Sequence, residues 1–143
     1  MPAPTKGQLG SAVDGFFQGV GLEGENASDL ADVVAEAIAT ALDMFVQTAM
    51  VEPGIAGAVD PITTSGATTA PGRLSTTLQA AQLEPIVSGL LSGAGIQGDA
   101  AEGLGKAIAG LIAYGIDQFT QKVQVAPGIA VAGAVTAAPG VLM

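Results

Sequence analysis

The sequence predicts a mainly α protein: two tandem-duplicated αα-hairpins packed as a four-helix body, each followed by an extended Pro/Gly-rich arm. Three observations carry this. Slid against itself by 74 positions, the chain aligns residues 8–56 with 82–130 without a gap, and twenty of the 49 pairs are identical. Within each copy, apolar residues recur at helical spacing. Each copy then breaks into a stretch of Val, Thr, Ala, Pro and Gly. The first repeat spans 1–74 and the second 75–143, and together they are expected to form one compact domain.

The first helix of each copy is short. Leu9, Val13, Phe16, Phe17 and Val20 fall at helical spacing, as do Leu83, Val87, Leu90, Leu91 and Ala94. Pro85 suits a first helical turn, where its missing N–H costs nothing, and its counterpart is Ser11, so both helices are expected to start there. Gly-rich turns follow, from Gly19 to Gly24 and from Gly93 to Gly98.

The second helix is longer. It is predicted from Ser28 or Asp29 to Met50, with an apolar stripe of Leu30, Val33, Val34, Ala37, Ile38, Ala41, Leu42, Phe45 and Ala49. Its partner is predicted from Ala100 to Lys122, with Leu104, Ile108, Leu111, Ile112, Ile116, Phe119 and Val123. Asp99 and Glu102 have the spacing of a capping box. Gly103, Gly105, Gly110 and Gly115 weaken this helix, each by ~1 kcal/mol relative to Ala. Tertiary packing must therefore hold it, which predicts a central place. Phe45 and Phe119 occupy matching positions and are both expected to be buried.

The arms begin at Val51-Glu52-Pro53-Gly54-Ile55 and Val125-Ala126-Pro127-Gly128-Ile129. Both read as extended chain with room for short β pairing. Residues 125–143 hold Val125, Ile129, Val131, Val135, Val141 and Leu142 and no charged side chain. Such a tail is an aggregation hazard if left in water. Burial is expected, on its own helices or, preferably, on a neighbouring subunit.

Composition excludes several function classes. Net charge is −9, with four basic and thirteen acidic residues. Lys6, Arg73, Lys106 and Lys122 are too few and scattered to displace counterions from phosphates, so no nucleic-acid partner is expected. An anionic membrane surface is disfavoured for the same reason. The most apolar run, Ala107 to Ile116, is about half of the ~20 residues that a bilayer-spanning helix needs. Cysteine and histidine are both absent, which removes thiolate and imidazole chemistry.

The remaining candidates each have a plainer explanation. Asp43 and Asp117 match across the copies, and paired carboxylates can do acid–base work; both also suit a polar helix face. Glu23, Glu25, Asn26 and Asp29 form an oxygen-rich run, but Gln97, Asp99, Ala100 and Gly103 stand in the second copy, and helix-start chemistry accounts for it. Gly15/Gly19 and Gly89/Gly93 are Gly-x3-Gly motifs that suit close packing of soluble helices. No metal, cofactor or catalytic residue is expected.

The arms also carry a resemblance. Pro53-Gly54-Ile55-Ala56, a Thr/Ser/Gly run, and Thr68-Thr69-Ala70-Pro71-Gly72-Arg73-Leu74 resemble the tails of small virion proteins of tailed bacteriophages. The pattern returns as Pro127-Gly128-Ile129-Ala130 and Thr136-Ala137-Ala138-Pro139-Gly140-Val141-Leu142. The resemblance covers about a third of the chain. It implies a non-enzymatic structural subunit of the capsid, neck or tail, assembled in the host cytoplasm. Its expected partners are further copies of itself and larger virion proteins. The expected interface residues are Pro53, Gly54, Ile55, Pro71, Gly72, Pro127, Gly128, Ile129, Val131, Val135, Pro139, Gly140, Val141 and Leu142. The alternatives are a holin-like membrane-active protein and a small hydrolase or ligand carrier using Asp43 and Asp117.

Overall fold

Four helices carry most of the chain: α1 (Lys6–Gly19), α2 (Ala27–Thr48), α3 (Ala80–Gly93) and α4 (Ala101–Lys122). Among the described residues there are also seven short strands: β1 (Met50–Val51), β2 (Gly57–Val59), β3 (Ser65–Thr68), β4 (Gly72–Ser75), β5 (Gln124–Val125), β6 (Ala130–Ala132) and β7 (Val135–Thr136). The protein is therefore mainly helical with small sheets. This computed structural model describes residues 3–52, 55–60, 63–132, 135–136, 140 and 142, with 135 and 136 described by their backbone alone.

The chain forms two compact units, and each draws on both halves of the sequence. One comprises Met1–Thr48 with Thr77–Ile116, the other Ala49–Thr76 with Asp117–Met143.

In the helical unit, α1 and α3 begin well before Ser11 and Pro85. Their starts are set by glutamine caps. Gln8 Oε1 accepts the Thr5 N–H at 2.8 Å, and Gln82 Oε1 accepts the Gln79 N–H at 3.0 Å. The Gln8 and Gln82 N–H groups donate in turn to the carbonyls of Thr5 and Gln79, both at 3.0 Å. Each box satisfies donors that a helix start leaves orphaned. Pro85 consequently lies inside α3. The Asp99/Glu102 spacing does not act as a cap. Glu102 instead takes the Lys106 ammonium at 2.6 Å, one turn further along α4.

The core of this unit has two seams. Val13, Ala31 and Ala35 are buried together, with Leu9, Phe17 and Val34 packed against them, and this joins α1 to α2. Leu83, Val87 and Leu91 are buried on α3, and Gly105, Ile108 and Ala109 on α4. The α3 and α4 backbones approach closely at Gly105, where a Cβ would lie 3.4 Å from Leu91 Cδ1 and 3.9 Å from Ser88 Cα. The Gly-x3-Gly motifs play no such part: a Cβ at Gly15, Gly19, Gly89 or Gly93 would meet nothing within 4 Å.

The centre is α2, not α4. It packs on both α1 and α3, and it buries Val33, Ala37, Ala41 and Phe45 in addition to Ala31 and Ala35. Those four recur every fourth residue and share one side of the helix. The matching side of α4 is open, with Leu111 exposed; further along, Phe119 is exposed too, whereas Phe45 is buried. Expected burial of both Phe residues thus holds for Phe45 alone. A stripe drives burial only where a neighbour exists to cover it.

In the strand-bearing unit, every pairing is antiparallel. One sheet has the order β1-β4-β5 and the other β2-β3-β6-β7. The first arm supplies β1 to β4, and the second supplies β5 to β7. Accordingly β4·β5 and β3·β6 join arm to arm. Within the chain, the second arm pairs along the first arm rather than on the helices of its own copy. Both arms carry β-branched residues and uncovered backbone groups, and a ladder between them satisfies those groups within the chain.

Candidate functional site

The arms hold the expected interface residues, and their local geometry repeats. Gly72 lies under Val51 and Ile55: a Cβ there would come 2.6 Å from Ile55 Cδ1 and 3.1 Å from Val51 Cγ1. Gly140 lies in the same way under Val125 and Ile129, with Ile129 Cδ1 at 2.9 Å from such a Cβ and Val125 Cγ1 closer still. No residue but glycine fits beneath a Val/Ile pair at that distance without displacing it. This explains physically why glycine recurs at 72 and 140.

The strand registers repeat as well. Val51 faces Leu74 on β4, and Val125 faces Leu142 in an antiparallel bridge. Gly57 faces Thr68 and Ala58 faces Ala67; Val131 faces Thr136 and Ala132 faces Val135.

Thr68 stitches one arm to the other. It is buried, and its hydroxyl oxygen accepts the Ile129 N–H at 3.0 Å. The Thr68 N–H donates to the Ile129 carbonyl at 3.0 Å, and the Thr68 carbonyl accepts the Gly128 N–H at 2.7 Å. Gly128 has φ of +92°, a conformation that glycine adopts without a Cβ clash. Thr68 was absent from the expected interface set. Its signal was the threonine that stands four residues before both Gly72 and Gly140.

The other expected residues are distributed as follows. Gly72 and Ile129 are buried, Ile55 and Val131 are half-buried, and Pro71, Pro127, Gly128, Gly140 and Leu142 are exposed. Val135 lies on β7. Pro53, Gly54, Pro139 and Val141 lie outside the described residues.

The candidates for chemistry sit on open helix surface. Asp43 accepts the Gln47 side-chain amide at 2.6 Å, and Asp117 accepts that of Gln121 at 2.7 Å, each one turn along its own helix. Both carboxylates are exposed. Glu23, Glu25, Asn26 and Asp29 are exposed in the α1–α2 turn and the first turn of α2. Among the described residues, no group of three or more Asp or Glu could hold a metal ion.

A cleft of about 540 Å³ lies between α3 and α4, with Glu84, Ser88, Glu102 and Lys106 on its walls. The Lys106 ammonium, hydrogen-bonded to Glu102, holds that carboxyl below the usual carboxylate range, and Glu102 raises Lys106 in return. Both are charged at neutral pH, so their net effect on the cleft is a local dipole. Compared with protein-family models, with curated proteins and with solved structures, the chain matches none.

Proposed function

We propose that the chain is a non-enzymatic structural subunit, a small component of a tailed-bacteriophage particle in the capsid, neck or tail. We infer that it is built as two copies of one hairpin-and-arm unit and that it docks through the arms. The observation that carries this reading is the matched seating of Gly72 and Gly140 beneath a Val/Ile pair in each arm. It gives both Pro-Gly arms one architecture, and they are the segments that resemble virion-protein tails. The helices support the duplication. Each helix of the second half begins 74 positions after its counterpart and has the same length, 14 residues for α1 and α3 and 22 for α2 and α4.

Short strands with open edges suit docking, because an edge offers unpaired N–H and C=O groups to a further strand. The charge pattern fits the same role. The first half carries −7 and the second −2, and no charged side chain follows Lys122. A holin-like role would require a spanning segment, and no helix among the described residues is long and apolar enough to cross a membrane.

The test is a mass-spectrometric inventory of purified particles from the source, paired with deletion of residues 126–143. The full chain is expected in the particles at stoichiometric levels, and the shortened chain is expected to be lost from them while keeping its helical circular-dichroism signal. Particles that lack the full chain would end this reading. So would normal incorporation of the shortened chain, which would show that the second arm is not the docking element.

A further inference from the structure

The two halves of the chain meet through different surfaces. In the helical unit, α2 of the first half packs on α3 of the second. Val33 of α2 shares a cleft with Leu90, Gly93 and Ala94 of α3. In the other unit, β4 and β3 of the first half pair with β5 and β6 of the second. A contact between unlike surfaces is heterologous. It does not close on itself after two copies, and it leaves one used-up surface and one vacant surface at each end.

Both units show the vacant surfaces. The α1 residues that match Leu90 and Ala94 are Phe16 and Val20, and these are 74% and 80% exposed. At the other end, the α4 residue that matches Ala37 is Leu111. Ala37 is 1% exposed and Leu111 is 71% exposed. In the strand-bearing unit, Val125 lies between Gly72 of β4 and Leu142 and is 2% exposed, whereas its match Val51, paired to β4 alone, is 45% exposed. Among the described residues, β2 and β7 likewise end their sheet. Contiguous exposed apolar patches on a monomer mark contact surfaces, and Phe16 and Val20 stand one helical turn apart on α1. Phe16, Val20 and Val51 match residues that lie at the joint, and Leu111 matches a buried residue of α2, the helix that packs on α3.

We propose that the chain associates with further copies of itself head to tail, repeating between molecules the joint that connects its own two halves. This rests on the duplicated architecture and arm-docking role inferred above, and it names the partner. In the helical unit the head is Phe16 and Val20 on α1 and the tail is Leu111 on α4. In the strand-bearing unit the head is the outer edges of β1 and β2 and the tail is β7 with Gly140 and Leu142. The register follows from the internal joint. Gly72 faces Val125 within the chain, so Gly140 faces Val51 of the next copy. A closed ring forms if the repeated rotation closes, and a filament forms if it does not.

The test uses two full-length variants. Phe16→Asp blocks the head and Leu111→Asp blocks the tail, and both positions are open enough for the fold to tolerate the change. Circular dichroism and the thermal midpoint check that each variant is folded. Native mass spectrometry then reads assembly. The wild type is expected as oligomers larger than a dimer, each variant alone as monomer, and an equimolar mixture as a heterodimer that grows no further. That last result is specific to unlike surfaces, because one intact tail remains to meet one intact head. A monomeric wild type, a variant that still forms the large species, or a mixture without heterodimer would each overturn the proposal. The particle inventory separates this from the broader reading. A chain that is monomeric in solution but present in particles defeats the head-to-tail joint alone. A chain that oligomerises but is missing from particles defeats the virion role alone.

Discussion

Gly72 and Gly89 show how differently two glycines act in one chain. Under Gly72 there is no space, because Ile55 and Val51 occupy the position of a Cβ. Gly72→Ala is therefore expected to destabilise by about 1–3 kcal/mol, the usual cost of overpacking. Gly89 lies within α3 with nothing within 4 Å, so Gly89→Ala is expected to stabilise by ~1 kcal/mol through helix propensity. Urea midpoints of the two variants should move in opposite directions, and a shift in the same direction would contradict the packing described. Phe45 and Phe119 form a second matched pair with unequal fates. Phe45→Ala is expected to cost ~3–5 kcal/mol as a buried aromatic, and Phe119→Ala clearly less in the dilute monomer. The stripe that predicted burial was legible for both residues. What differs is the neighbour, and no local pattern encodes that.

At the scale of elements, the second helix of each copy was read to within two residues of its bounds, because long amphipathic segments carry a strong periodic signal. The shorter helices were read as starting too late, because Pro85 drew the boundary to itself. A proline inside a helix removes one hydrogen bond and crowds the preceding turn, and it also restricts the unfolded chain. Pro85→Ala is accordingly expected to raise stability by ~2 kcal/mol, seen as a higher thermal midpoint. If the midpoint falls, the capped start at Gln79 is wrong.

Surface charge ties elements together more weakly. Lys6 on α1 reaches Asp32 and Glu36 on α2, both at 3.2 Å, and those hydrogen bonds raise its pKa. Lys106 is raised by Glu102, and Glu102 is lowered by Lys106. The lysine contributions are present below the ordinary value of 10.5 and are lost as pH rises through the raised folded values. The Glu102 contribution is present above the ordinary carboxylate value and is lost as pH falls through its lowered one. A Lys6→Gln, Lys106→Gln double variant should lose the alkaline part of the wild-type stability profile while keeping its shape near neutrality. Added salt should shrink the difference, since all these groups are exposed.

For the whole molecule, the division into a helical and a strand-bearing unit governs what truncation does. Removing 126–143 takes β6 and β7 from the sheets but no residue from any helix. Far-ultraviolet circular dichroism should keep its helical minima. Amide exchange should rise at β3, whose partner β6 is gone, and stay slow across α2. Equal loss of protection in both would show that the helices depend on the arm. The sequence by itself determined the mainly helical character, the internal identity at a spacing of 74 residues and the absence of histidine and cysteine chemistry, because periodicity, identity and composition are properties of the chain alone. Only the tertiary structure decided that the arms pair with each other, that α2 rather than α4 is central, and that matched residues such as Ala37 and Leu111 have opposite exposure. Burial depends on what stands next to a surface. The apolar stripe of α2 has α1 and α3 against it, and Leu111 on α4 is left exposed.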